Sequence, residues 1–496
     1  MKPGQFREAS RWLLPLLLLL SVVRFWLMPL PSSFWVDEMV TTFVVRYGAA
    51  HPSLQSAPQV AMSVYYAVAH GAQALLGFSE IAYRLPSTLC MALALFLIAR
   101  LAGRLIHPEA AWFAVFACLS LRSFNYEAAD ARPYALGTLA AAASLLFLVR
   151  WLDSAGWLDA LVFFMSAAML WRVHLIFWPF YVVLVLYAAV RLARGETPVG
   201  WLRAGAVFAL LGIALLPVLT NALAIGREAA AHVIVPPPEL GDFRRSTEIG
   251  LVELCGPVLW LVLRRIQRPP APFSWISAIP ILGWWLASPV CLFAFSHLTG
   301  NSVFVPRYLS LALPGAALTA TAAAAHAIPP ERWRQFALAL AVAALLFMGQ
   351  WGKLWPPHHN SGWREAIAAV NRVSPDPATP VVCPSPFIEA KPPIWRPDYP
   401  LPGFLYSQLT VYPLIGKPYL LPFEDSPEAE RYANTLASGT FQASGRFIIL
   451  GGDTNVRFWR IWFSMRPELA DWRYRRIGLF GDVDVVLFER PAVQPR

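Results

Sequence analysis

Two acidic groups stand where charge is costly. Asp37 and Glu38 are adjacent in "SSFWVDEMVTT", a few residues past a long apolar run, and Glu127 and Asp130 fall in "NYEAADARPYALG", just before another. A charged side chain costs about 2.5–3.5 kcal/mol at the middle of a spanning helix on insertion scales. Carboxylates at a span edge therefore face water, a partner or a cavity. Asp37 alone reads equally well as a cap for the helix beginning "EMVTTFVVRYG". Both acidic groups, however, lie between aromatic residues, Trp35 and Phe43 for the first, Tyr126 and Tyr134 for the second. Three arginines stand at the starts of apolar runs: Arg84 in "IAYRLPS", Arg132 in "ARPY" and Arg307 in "FVPRYLS". A guanidinium so placed suits bidentate contact with a phosphate at the bilayer surface. Snorkelling to headgroups is the plainer reading of each arginine taken singly.

The elements that must position these residues are membrane spans. Hydrophobic residues make up 57% of the 496 and charged residues only 14%, where soluble domains carry nearer a quarter charged. Mean hydropathy is +0.50. About eleven stretches are long and apolar enough to cross a bilayer, near 12–30, 86–106, 110–122, 133–151, 157–172, 174–192, 203–224, 249–264, 274–296, 306–326 and 334–351. The fold class expected is a polytopic α-helical membrane protein. The net charge of +10 fits membrane orientation better than nucleic acid, because the arginines scatter into short loops. Arg7 and Arg11, Arg104, Arg150, Arg191 and Arg194, Arg264, Arg265 and Arg268, and Arg332 and Arg334 share one side. The long 31–85 segment, "RSFNYEAADARP" and the 225–248 loop share the other. The bias puts the N-terminus in the cytoplasm, and an odd number of spans then puts the tail outside. "WLLPLLLLLSVV" is followed by no small-residue cleavage site, so it reads as a retained first span.

Residues 1–351 thus form the membrane domain and 352–496 an extracytoplasmic one. In the tail, "WREAIAAVNRV" has helical spacing, while "TPVVCPS", "GRFIILGG" and "DVDVVLFER" read as short buried strands, giving a small α/β domain. The five cysteines show no paired metal-ligand spacing. "PPHHNSGW" offers His358 and His359, adjacent histidines that read as loop residues rather than metal ligands. No phosphate-binding glycine motif occurs.

"WVDE" after the first span, "SEIAYRLPSTLCMALALFLIARLAGRL", "YEAADARPYALGTLAA" and "VPRYLSLALPG" occur in this order on one side of the membrane. Together they resemble the GT-C glycosyltransferases, in the bacterial branch similar to protein O-mannosyltransferases and lipid A aminoarabinose transferases. The resemblance spans most of residues 12–350. It implies a polyprenyl-phosphate-linked sugar as donor, transfer on the outer face of the inner membrane, and no nucleotide cofactor. The acceptor would be a lipid, a glycan or a protein, and nucleic acid is no partner. The family's acidic residue of the first outer loop falls on Asp37, with Glu38 beside it. Such a transfer needs a base for the acceptor hydroxyl and positive charge, or a divalent cation, at the leaving phosphate. Arg84, Arg132 and Arg307 are the positive groups, Arg132 and Arg307 being favoured by the matching "RPY" and "RY". Glu127 and Asp130 would position the acceptor, orient Arg132 or bind a cation. Tyr65, Tyr66, Tyr134, His174 and Tyr308 are further pocket residues, although a packed or snorkelling role also suits His174. The family's His-Pro-Pro before a tyrosine pair is missing from "APQVAMSVYYAVAHG", so substrate identity does not carry over. A glycolipid transporter or flippase is the alternative from another class, and a polysaccharide ligase or polymerase of related architecture is a third.

Overall fold

The computed structural model describes residues 3–56, 63–228, 236–263 and 274–491. Arg264, Arg265 and Arg268, the side chain of Arg7, and parts of the two segments expected on the outer side (57–62 and 229–235) lie outside the described residues. The chain falls into two compact units. One comprises Met1–Leu30, Met62–Val68 and Arg84–Pro356, the other Pro31–Ala61, Ala69–Tyr83 and Pro357–Arg496.

The first unit is helical. Among the described residues six helices are long and apolar enough to cross a membrane: Ser10–Leu27, Glu80–Leu105, Tyr134–Ser154, Leu175–Ala193, Trp201–Leu223 and Trp275–Thr299. A bent pair, Leu240–Ser246 with Ile249–Leu263, turns by 62° and would make a seventh. Shorter helices, Ala111–Leu119, Trp157–Val173, Leu313–Ala324 and Trp333–Met348, occupy the other apolar stretches. Exposure identifies the solvent these helices are built for. Leu89, Leu93 and Phe96 on one helix and Leu210, Ile213 and Leu216 on another are exposed at three- and four-residue spacing, an outward apolar stripe suited to hydrocarbon. Within Tyr134–Ser154 78% of the apolar window is buried, against 17% within Trp201–Leu223, so the former is central and the latter faces lipid.

Close approach between helices depends on small residues. A Cβ on Gly315 would stand 2.2 Å from the backbone nitrogen of Trp285, so only glycine lets Leu313–Ala324 approach Trp275–Thr299 there. The two indoles beside it donate to backbone carbonyls, Trp284 Nε1 to Leu311 at 2.7 Å and Trp285 Nε1 to Thr247 at 2.6 Å. Arg24, buried in the first span, donates to the carbonyls of Gly349, Gln350, Lys353 and Leu354 at 2.6–3.0 Å. It thereby satisfies the acceptors exposed where the last membrane helix ends.

The second unit is built on a five-stranded sheet of order β2-β1-β3-β5-β4, with β1 at Pro380–Pro384, β2 at Lys417–Leu421, β3 at Arg446–Gly452, β4 at Arg473–Phe480 and β5 at Val483–Glu489. β2, β1 and β3 run parallel, while β5 and β4 are antiparallel additions. The three strands read from sequence are the interior ones, and the two edge strands were not among them. β2 carries Pro418, which has no N–H for a second neighbour and is tolerated at an edge. β4 is mostly exposed, as "RYRRIGLF" suggests. The helix expected in "WREAIAAVNRV" is present at Trp363–Val373. Trp363, Ala366, Ile367 and Val370 are buried along one face, at the spacing of an amphipathic helix.

Candidate active site

In the helical unit the second acidic segment is fixed by hydrogen bonds to its own backbone and to neighbouring helices. Asn125 donates to the carbonyls of Leu119 (2.7 Å) and Leu121 (3.2 Å) and accepts from Trp26 Nε1 at 2.9 Å. Thr88 donates to the carbonyl of Ala128 at 2.8 Å and Ser87 to that of Arg132 at 3.4 Å. Ser87 is shared with Tyr65, whose hydroxyl lies 3.1 Å away. Residues 125–132 are thereby pinned across the helix Glu80–Leu105, with Glu127 and Asp130 buried beneath. Tyr66 is the half-buried neighbour of Tyr65.

From that segment Tyr134 projects into an aromatic cluster. Its ring is 5.7 Å from His174, and His174 is 5.4 Å from Tyr308, with Phe177 behind both Tyr134 and His174. Gly137 leaves room for this cluster: a Cβ there would lie 2.2 Å from the Phe177 ring. Arg132 and Arg307 both act electrostatically on Tyr134 and on His174, and Arg307 stands 5.6 Å from the Tyr308 ring. The structure therefore brings together Arg132, Tyr134, His174, Arg307 and Tyr308, residues that come from three separate stretches of the chain. Arg84 is fully buried and donates to the carbonyls of Leu30 and Pro29, at 2.8 and 3.3 Å. It holds the end of the first span.

Asp37 and Glu38 belong to the second unit, in the first turn of the helix Val36–Tyr47. The capping role expected of Asp37 falls elsewhere. Trp35 is the N-cap, and the buried Glu38 reaches back to accept from the Trp35 N–H at 3.2 Å. The helix begins at Val36, which puts Asp37 at the second helical position, one residue short of the one that reaches back to the cap. Asp37 is partly exposed.

The loop before that helix is clamped by side chains the sequence did not single out. Tyr412 accepts from the Phe34 N–H at 2.8 Å and donates to Glu80 at 2.9 Å. Burial pushes the Tyr412 hydroxyl well above the ordinary tyrosine range, so it remains a donor. Arg364 donates to Glu80 at 2.9 Å and to the carbonyl of Pro31 at 3.0 Å, while its backbone N–H donates to Ser33. His359 stacks on Trp35 with ring centroids 5.0 Å apart and planes 6° from parallel, and the His358 N–H donates to Ser32. The His359 ring thus supports Trp35, and the His358 backbone supports the loop. The only sequence signal was the two histidines themselves; Tyr412, Arg364 and Glu80 lie in separate stretches with no shared pattern.

The comparisons agree with the membrane architecture. Residues 60–220 match the family described as dolichyl-phosphate-mannose-protein mannosyltransferase. No curated protein matches the chain in sequence. The crystal structure of ArnT from Cupriavidus metallidurans in the apo state aligns over 97% of this chain and 98% of its own, at 12% identity and TM-score 0.53. The same protein bound to undecaprenyl phosphate aligns over 95% and 97%, at 13% identity and TM-score 0.50. The resemblance read from the sequence is borne out: this chain is a polytopic membrane protein with the GT-C fold and a small C-terminal α/β domain.

Proposed function

We propose that the chain is an integral-membrane glycosyltransferase that moves a sugar from a polyprenyl-phosphate donor to an acceptor hydroxyl on the outer face of the membrane. The observation that carries this reading is the Tyr134–His174–Tyr308 aromatic cluster with Arg132 and Arg307 beside it, at the ends of membrane-spanning helices. Two guanidiniums suit the two oxygens of a lipid phosphate, and flat rings beside them suit a sugar. The GT-C fold shared with ArnT, which has been solved with undecaprenyl phosphate bound, and the mannosyltransferase family match support the same donor class.

In the reaction the acceptor oxygen attacks the anomeric carbon as the bond from that carbon to the phosphate oxygen breaks. The lipid phosphate leaves with the electron pair, which Arg132 and Arg307 stabilise. The hydroxyl proton passes to Asp37. Glu38 serves as the helix cap. Glu127 and Asp130, buried on the segment that carries Arg132, orient that guanidinium. Arg84 is a positioning residue for the first span.

Membrane orientation follows from charge. Arg104, Arg150 and Arg191 collect at the ends of the spans opposite Arg132 and Arg307, and basic loop residues mark the cytoplasmic side. The proposed phosphate site and the C-terminal domain are then extracytoplasmic.

The test compares wild type with Asp37→Asn, purified in detergent and given polyprenyl-phosphate sugars with an extract of envelope acceptors. Release of polyprenyl phosphate is followed by mass spectrometry. Wild type is expected to release it, and Asp37→Asn to do so about 10²–10⁴-fold more slowly. Equal rates would remove Asp37 as the base. No release from any donor would overturn the transferase reading in favour of transport.

A further inference from the structure

The end of the helical unit opposite Arg132 and Arg307 holds a cavity of about 730 Å³, for which the transfer reaction provides no role. Three helices wall it: Glu80–Leu105 through Arg100 and Arg104, Tyr134–Ser154 through Arg150, and the first turn of Trp157–Val173 through Asp159. The volume lies within the range of about 300–1,000 Å³ usual for small-molecule sites.

Three guanidiniums and one carboxylate line it. Asp159 is only 8% exposed, and both its oxygens are engaged: one accepts from Arg150 Nε at 3.0 Å, and the Ser154 hydroxyl stands 3.4 Å from the other. Arg104 directs Nε and Nη2 to a single oxygen of Asp153, at 3.0 and 2.6 Å. Among the described residues Nη1 of Arg104 and both terminal nitrogens of Arg150 then have no hydrogen bond, and Arg100 has no hydrogen bond or ion pair at all. The two acids therefore hold two of the arginines in position without using up their donors. Asp153 also serves Arg191, at 2.8 Å. Arg100, Arg104, Arg150 and Arg191 thus face only Asp153 and Asp159, and positive charge remains in excess.

The surfaces that lead to the cavity are built for hydrocarbon. Arg100 follows Phe96 by four residues and Leu93 by seven, so the exposed apolar stripe on that helix face ends in a guanidinium. On the third helix Leu158, Leu161 and Met165 are exposed at three- and four-residue spacing, and the exposed Trp157 stands at its start. A tryptophan at the end of an apolar helix marks the level of the headgroups. Donors that fit the two free oxygens of a phosphate are thus combined with two apolar tracks that a soluble phosphate would leave uncovered.

We propose that this cavity is a binding site for an anionic phospholipid of the surrounding bilayer. The lipid phosphate pairs with Arg100 and with the unused nitrogens of Arg104 and Arg150, and the acyl chains lie along the two apolar stripes. The site does not depend on the transferase reading. The test uses the full-length protein in detergent, with phosphatidylglycerol, phosphatidylcholine of the same chains and inorganic phosphate as probes. Lipid retention is read by native mass spectrometry and melting by thermal unfolding. Phosphatidylglycerol is expected to bind about tenfold more tightly than phosphatidylcholine, the difference of one charge-assisted pair, and to raise melting where inorganic phosphate does not. Arg100→Gln, at an exposed position with no partner to lose, should weaken phosphatidylglycerol about fivefold. Arg203→Gln, also exposed but outside the cavity, should leave it unchanged. Asp153→Asn, which releases the Arg104 donors, should tighten binding by up to about fivefold. Equal affinity for the two lipids, or Arg100→Gln behaving like wild type, would overturn the site. The same loss in Arg203→Gln would reduce it to general surface charge. Displacement of the lipid by inorganic phosphate, with the same rise in melting, would make it a site for soluble anions instead.

Discussion

At one end of the helical unit Arg104 and Arg191 both reach Asp153, at 2.6 and 2.8 Å, and Arg150 reaches Asp159 at 3.0 Å. At the other end Arg132 and Arg307 act on Tyr134 and His174, two stacked rings against which Tyr308 is tilted. The same residue type closes the first end and equips the second. Where carboxylates bridge the guanidiniums between loops, charge is neutralised locally and the arrangement ties helix ends together. At the other end the guanidiniums act on aromatic side chains, with the Glu127 carboxylate acting on Tyr134 as well, so charge of both signs is gathered around an aromatic cluster. Arginine count in a membrane loop is therefore a poor guide to function until the partner of each guanidinium is known.

Substitutions at the two ends should separate these roles. Arg132→Gln and Arg307→Gln are expected to lower transfer by about 10²–10³-fold each, the usual cost of removing one stabilising donor from a developing anion. Detergent-solubilised yield and melting should stay near wild type. A loss confined to melting would make the aromatic end structural and break the comparison. Gly137→Ala comes next. It drives a methyl into the Phe177 ring, which is fully buried and has no room to retreat, and should cost about 1–3 kcal/mol. Thermal unfolding and transfer should fall together.

Tyr412→Phe tests the other half of the chemistry. It leaves the Phe34 N–H without its acceptor and should cost about 1–3 kcal/mol. The expected signature is a severalfold lower kcat with an unchanged donor KM, because the loop that carries Asp37 loosens while Arg132 and Arg307 are untouched. The smallest effect is assigned to Asp153→Asn. This removes a half-exposed bridge worth about 0.2–1 kcal/mol and should leave kcat as it is. A large drop in transfer there would show that the closed end also serves the reaction.

The sequence made the membrane spans legible because hydrocarbon imposes a length and a composition on every crossing helix. It made β1, β3 and β5 legible because strands in the middle of a sheet are apolar on both faces. β2 and β4 are edges, and a proline or a run of arginines there looks like a loop until its one neighbour is seen. The aromatic flanks of the two acidic groups pointed to Tyr134. His174 and Tyr308 came from family resemblance rather than from any pattern of their own. The clamp on the Asp37 loop left no local trace. Tyr412 and Glu80 are 332 residues apart, and neither sits in a motif. Division of labour within the acidic pair was equally hidden, since "WVDE" shows two carboxylates and only backbone geometry says that Glu38 is the one turned back to the cap.

The clamp also sets a schedule for biosynthesis. Residues 31–38 leave the ribosome early, but Arg364 and Tyr412, which fasten them, are made more than three hundred residues later. At about 5–20 residues per second, on the order of half a minute passes between synthesis of the proposed base and arrival of its supports. During that interval a nascent chain can already sit among lipid-linked sugars without a fixed Asp37 to act on them. Fragments truncated before Tyr412 should insert into the membrane and remain silent, so the tail doubles as a signal that translation has finished.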